Sequence, residues 1–256
     1  MDVNGISVHY LSAGEDGAEI VLLHGLLGSG LTWGPVASPL SRDHVVVMPD
    51  ARGHGESTAP ATGYRYEDLA LDVVALIHEL ELDRPVLVGH SMGGMTAAVV
   101  AASHGELLRG VVLVDPTFLS PERQQEVYES DVAEQHRRTL GLTEKELFDE
   151  LRARHPKRTD DMLERIAQGR LETSPNAFEV LAPPNPAYRE LVRLIAIPTM
   201  LVVGDNPVVT PDIVDELRAI NPLLRVETIR EAGHGVPFDQ PDRLAAVIAQ
   251  FAGSID

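Results

Sequence analysis

The residue in this chain best placed to do chemistry is a serine set between glycines. Residues 88–94 read Val-Gly-His-Ser-Met-Gly-Gly, after an apolar β run (85–88) and before a run of small residues with helical character (92–102). A Gly-x-Ser-x-Gly at a strand-to-helix junction makes a nucleophile elbow. Such a turn holds Ser91 in a strained backbone conformation, and a Cβ at Gly89 or Gly93 would collide with the neighbouring turn. The hydroxyl then stands above the sheet, beside the Met92 backbone N–H and the positive end of a helix. A serine hydroxyl alone is a weak nucleophile, so the chain must also supply a base, an acid and an oxyanion hole.

Candidates for those roles follow other short apolar runs. His24-Gly25 follows Ile20–Leu23, and Asp50-Ala51-Arg52-Gly53-His54-Gly55-Glu56-Ser57 follows Val45–Met48. Ser91 follows Val86–Val88, Asp115 follows Val111–Val114, Asp205 follows Thr199–Val203, and His234 comes after Val226–Ile229. Runs this short and apolar suit strands buried on both faces of a parallel sheet. An open α/β sheet places its ligand crevice at the carboxyl ends of its strands, so the six loops converge on one edge.

The elements that must position them are legible as periodicity. Leu69, Val73, Leu76, Ile77 and Leu80 mark one helix face, Ile213, Leu217 and Ile220 a second, and Leu244, Val247, Ile248 and Phe251 a third. Asn4-Gly5 reads as a tight hairpin turn. Strands alternating with helices give an α/β fold with a doubly wound, mostly parallel sheet. The alternation breaks between Pro116 and Leu194, where helical patterns cover 122–140, 143–154 and 159–171 amid scattered prolines. We read 116–194 as a helical cap, or lid, inserted after the sixth strand, and 1–115 with 195–256 as the core domain.

Composition narrows the function classes. The 256 residues include no cysteine, which excludes disulfides, thiolate metal sites and cysteine nucleophiles. The net charge of −18 argues against nucleic acid and anionic membranes as partners. It is uneven: residues 116–190 carry 11 basic and 15 acidic side chains, so most of the excess lies in the proposed core. The amino terminus lacks the pattern of a signal peptide and no run is long enough to span a membrane, so the expectation is a soluble, cytoplasmic monomer or homodimer. His24, His54, His90 and His234 match no zinc spacing, so neither metal nor cofactor is expected.

His-Gly, Asp-x-Arg-Gly-His-Gly-x-Ser, Gly-His-Ser-Met-Gly-Gly and Ala-Gly-His occur in that order, and with them the whole chain resembles the α/β-hydrolase superfamily, in its serine esterase and lactonase-like branch. The resemblance implies a Ser…Asp/Glu…His order with one oxyanion amide in the His-Gly loop. Carried over, Ser91 is the nucleophile, His234 the general base, and the N–H groups of Met92 and Leu26 the oxyanion hole. His24, Gly25, Leu27, Trp33 and His90 are expected to line the substrate site.

The acid departs from the pattern. The family commonly has Gly-x-x-Asp after the penultimate strand, whereas this chain reads Gly204-Asp205-Asn206-Pro207-Val208-Val209, one residue short. Chain order and a 29-residue spacing to His234 favour Asp205, with Asp115 as the alternative. The implied reaction is hydrolysis of a small carboxylic ester or lactone, acyl-homoserine lactones included, through an acyl-enzyme. Serine at the elbow argues against the branches that use a carboxylate nucleophile. Carbon–carbon bond hydrolases, perhydrolases, lyases and a catalytically silent ligand receptor use the same fold and stay open here.

Overall fold

A computed structural model of the chain describes residues 1–255. The first strands, β1 (Asp2–Val3) and β2 (Ile6–Ser7), pair with each other. Asn4 and Gly5 between them have φ of 46° and 78°, the left-handed pair that a two-residue hairpin turn demands. The main sheet holds β3 (Tyr10–Ala13), β4 (Ala18–Leu23), β5 (His44–Pro49), β6 (Val86–His90), β7 (Gly110–Val114), β8 (Thr199–Val203) and β9 (Leu224–Thr228). Their order is β3-β5-β4-β6-β7-β8-β9, and only β3 runs antiparallel to its neighbour.

Strand periodicity divides the core in two. Val21, Leu23, Val47, Leu87, Val111 and Leu113 face one side, packing with α2 (Tyr66–Glu79) and α3 (Met92–Ser103). Ile20, Leu22, Val46, Val86, Val88 and Val112 face the other, against α1 (Gly34–Leu40) and, further along the chain, the apolar stripe at residues 244–252. Both faces are dry, which is why these strands read as continuous apolar runs rather than as alternation.

Five helices follow β7: α4 (Pro121–Glu129), α5 (Val132–Thr139), α6 (Glu144–Arg154), α7 (Asp160–Leu171) and α8 (Tyr188–Leu194). The chain then returns through β8 to α9 (Pro211–Ile220), α10 (Val236–Asp239) and α11 (Pro241–Ala252). The sequence expectation of one helix over 122–140 is interrupted at Ser130 and Asp131, where the extended Ser130 backbone stops α4. The six strands expected before the insertion resolve into five in the main sheet plus the two of the hairpin. The insertion also ends earlier, in packing terms, than residue 194. Tyr188 and Val192 of α8 join the main core alongside α3, so this last helix covers the sheet.

The rest of the insertion has its own small core. Leu147 and Leu151 of α6 meet Met162, Leu163, Ile166 and Ala167 of α7. Thr143 and Thr159 cap these two helices by accepting from the backbone N–H groups of Glu146 and Met162. Gly169 of α7 rests on the loop after β4, where a Cβ would press on Gly28 and on the Leu27 carbonyl. No helix among the described residues is long and apolar enough to cross a membrane.

Candidate active site

Ser91 lies between β6 and α3 with φ 54° and ψ −115°, a strained conformation for a side-chain-bearing residue. Two glycines make the turn sterically possible. A Cβ on Gly89 would run into the Gly93 carbonyl, and one on Gly93 into the carbonyls of Leu23 and His24 on the adjoining strand. The Ser91 carbonyl accepts from the N–H groups of Met95 and Thr117, so the elbow is tied both to its helix and to the start of the insertion.

The Ser91 hydroxyl donates to His234 Nε2 at 3.0 Å, and His234 Nδ1–H donates to Asp115 Oδ2 at 2.6 Å. A carboxylate only accepts, so this contact places the imidazole proton on Nδ1 and leaves Nε2 free to accept from the serine. Asp115 is fully buried and has φ 38°. Its two oxygens also accept from the N–H groups of Val208 and Val209, each at 3.0 Å. Three donors thus converge on one buried carboxylate, which satisfies its charge without an ion-pair partner other than the imidazole.

This geometry corrects the preference for Asp205. Asp205 is exposed; its carboxylate accepts from the Glu231 N–H at 2.6 Å and its own N–H donates to the Ala232 carbonyl at 2.7 Å. It pins the turn that leads to His234 and makes no contact with the imidazole. Pro207 to Val209 come back over the end of β7 and bring the amides of Val208 and Val209 to Asp115.

The N–H groups of Met92 and Leu26 are given to no backbone acceptor among the described residues outside regular elements, which leaves both available to a developing oxyanion. Leu27, beside them, has φ 69°, a rare conformation for leucine that shapes the His-Gly loop. A cavity of about 490 Å³ opens in front of Ser91. Of the residues expected to line it, Gly25, Leu27 and His90 do. His90 Nε2–H donates to the His234 carbonyl at 2.8 Å, and burial pushes its pKa down to about 3, so it is a neutral prop for the His234 loop.

His24 and Trp33 do not line that cavity. His24 is buried, with Nδ1–H donating to the Gly25 carbonyl at 2.8 Å and Nε2 accepting from the Ala51 N–H at 2.9 Å; it joins two loops from behind. Trp33 is 1% exposed and packs in the core with Val36 and Leu40. Sequence reasoning in turn missed the contributions of the insertion. His155, Arg158, Ile166 and Arg170, with Phe238 of α10, complete the lining of the cavity. The available signal was the density of arginines between 152 and 170, which on helical patterns reads as a solvated face. Among the described residues no group of three or more His, Asp or Glu side chains is arranged to hold a metal ion.

The profile of the alpha/beta hydrolase fold matches residues 19–241. N-formylmaleamate deformylase of Pseudomonas putida is 31% identical, over 98% of this chain and 94% of its own. Among solved structures, an enol-lactonase from Burkholderia xenovorans superposes with a TM-score of 0.80 at 25% identity, covering 98% of both chains. A thermophilic esterase from Thermogutta terrifontis gives 0.81 at 27% identity, covering 97% of this chain and 94% of that one. Sequence match, strand order and elbow agree, and the chain belongs to the alpha/beta hydrolase fold family, as an enzyme that acts by hydrolysis.

Proposed function

We propose that this protein hydrolyses a small carboxylic ester or lactone through an acyl-enzyme on Ser91, with His234 as general base and Asp115 as the acid. The observation that carries the reading is the unbroken line from Ser91 Oγ to His234 Nε2 and from His234 Nδ1 to Asp115, at 3.0 and 2.6 Å. As Ser91 attacks the carbonyl carbon, its proton passes to Nε2, and the imidazolium formed is stabilised by the Asp115 carboxylate. The carbonyl oxygen turns negative between the N–H groups of Met92 and Leu26, each such donor being worth roughly 3 kcal/mol in the transition state. His234 then returns the proton to the leaving group, and water, deprotonated by the same nitrogen, releases the acid.

The same machinery cleaves an activated C–N bond, and one comparison favours that as a second reading. The relative that spans nearly the whole chain at 31% identity is named for deformylation of N-formylmaleamate. An amide differs from an ester here only in that its leaving nitrogen must receive the His234 proton before it departs.

Turnover of p-nitrophenyl acetate followed by absorbance tests the reading. Wild type should release p-nitrophenol with a pre-steady-state burst, and Ser91→Ala should fall to the uncatalysed background. Binding of esters and of N-formyl amides without turnover of either would make the fold a receptor and overturn the proposal.

A further inference from the structure

Part of the lining of the cavity that holds Ser91 is cationic, in a molecule whose net charge is −18. Arg158, just before α7, donates from Nε to Asp239 Oδ1 at 2.8 Å and lies over the Phe238 ring at 5.3 Å. It also reaches the catalytic loop: a Cβ on Gly235, the residue after His234, would meet Arg158 Nη2. With its charge balanced by Asp239, Arg158 keeps Nη hydrogens to offer.

Arg170, in the last turn of α7, is different. It is partly buried and lines the same cavity as Ser91, yet its guanidinium makes no ion pair and no hydrogen bond among the described residues. Burial, together with Arg154 and Arg158 nearby, holds it below the usual guanidinium value, and Glu150 compensates only in part. Glu150 itself is turned to Arg154, at 3.6 Å. His155, also on this wall, is lowered by burial and by Arg158 and Arg170, which favours its neutral form. A desolvated cation without a partner is costly in a folded protein and is kept where a ligand supplies the missing charge.

We infer that Arg170, assisted by Arg158, binds a carboxylate on the substrate remote from the scissile bond, so that the preferred substrates are half-esters or half-amides of short dicarboxylic acids. This rests on the hydrolytic reading of Ser91. A guanidinium matches a carboxylate with two parallel N–H···O bonds, and the cavity offers one uncompensated positive charge. That charge suits a monoanion; a phosphate dianion would lack its second countercharge, because Asp239 already takes that of Arg158. Ile166, Phe238 and Leu27 on the same walls fit the short apolar span between the two ends of such a substrate.

The experiment separates binding from chemistry. Calorimetric titration of the Ser91→Ala protein with monomethyl succinate and with dimethyl succinate reads the subsite alone. The half-ester should bind at least tenfold tighter, and Arg170→Gln in the same background should bring the two within about twofold. Arg170→Lys, which keeps the charge and loses the fork, should fall between them and remains informative if the glutamine variant folds poorly. Equal binding of the two esters, or a preference that survives both substitutions, overturns the inference. If the half-ester preference holds while wild type turns over no ester or amide, the subsite stands and the catalytic reading falls. If wild type hydrolyses both succinate esters with equal kcat/KM, the catalytic reading stands and the subsite falls.

Discussion

The carboxyl edge of the sheet and the helical insertion above it hold their residues by different means. At the edge the backbone does the holding. Asp115 is fixed by the amides of Val208 and Val209, Ser91 by a turn that two glycines permit, and Ser91, Leu27 and Asp115 all have positive φ. In the insertion side chains do it. Lys145 pairs with Asp149 at 2.7 Å and Arg137 with Glu134 at 2.8 Å, each about one helical turn apart and exposed, beside a core of six buried residues. Exposed pairs of that kind contribute about 0–1 kcal/mol each, so they can be exchanged singly at little cost. A backbone-held constellation tolerates no such drift. On the proposed reading, the chemistry is fixed by the sheet, and substitutions on the exposed face of the insertion leave it undisturbed.

The sharpest way to break this division is to compare the two aspartates. Asp115→Asn should lower kcat by about 10⁴-fold, because an amide that donates to Nδ1 selects the wrong imidazole tautomer. Asp205→Asn loosens only the turn at Glu231 and should cost at most about tenfold. Steady-state kinetics on one ester decides it, and the reverse ranking would return the acid to the loop after β8.

A smaller effect tests the insertion as a unit. Leu163→Ala empties a fully buried position between α6 and α7 and should cost about 2–5 kcal/mol. Hydrogen exchange should show faster opening of α6 and α7 with the amides of β4, β6 and β7 unchanged. Equal acceleration in both would mean that insertion and sheet unfold together, erasing the distinction.

The smallest effect, taken per histidine and per pH unit, concerns acid. His54 and His90 are pushed down to about 3 by burial, and His24 is lowered in the same way. Unfolded, each takes a proton near pH 6.5 that the folded state refuses, so stability falls as pH drops from about 6.5 toward 3. His54 and His90 each contribute a slope of about 1.4 kcal/mol per pH unit in that window, and His24 acts with the same sign. His136 and His155 of the insertion are lowered too and act with the same sign. Urea melts at pH 7, 6 and 5 should show the loss, and His54→Asn should flatten it by about one proton; a pH-independent midpoint would contradict the burial of these rings.

The sequence was most legible where local rules are strict. The elbow glycines, the Asn4-Gly5 turn and the apolar strands each follow from backbone geometry or a two-sided burial that leaves a signature in residue order. Which carboxylate meets the imidazole was not legible, because Asp115 and Asp205 both follow strands that lie side by side in the sheet. Which of them meets His234 depends on how the Pro207–Val209 loop folds back, a long-range fact that chain spacing does not carry. The pocket arginines were hidden for a different reason. Arg170 looks like any charged residue on an amphipathic helix and Arg158 like any in a charged turn between two helices, and only the placement of α7 beside the His-Gly loop brings both to the cavity that holds Ser91. Trp33 was misassigned since a lone aromatic after a loop serves a core as readily as a cleft.

The join between sheet and insertion has a practical side. Pro116 directly follows Asp115 and sits against the first turn of α3, where a Cβ on Gly94 would meet its own Cβ at 2.9 Å; the next residue, Thr117, donates to the Ser91 carbonyl at 3.2 Å. The far end is bounded by α8, whose Tyr188 and Val192 belong to the sheet's core. A chimaera that exchanges substrate preference with another member of the family thus has narrow splice points: the donor segment enters after Thr117 and leaves before Tyr188. A graft cut one residue earlier would also exchange Thr117, whose hydroxyl meets that of Tyr66 in α2 at 3.0 Å.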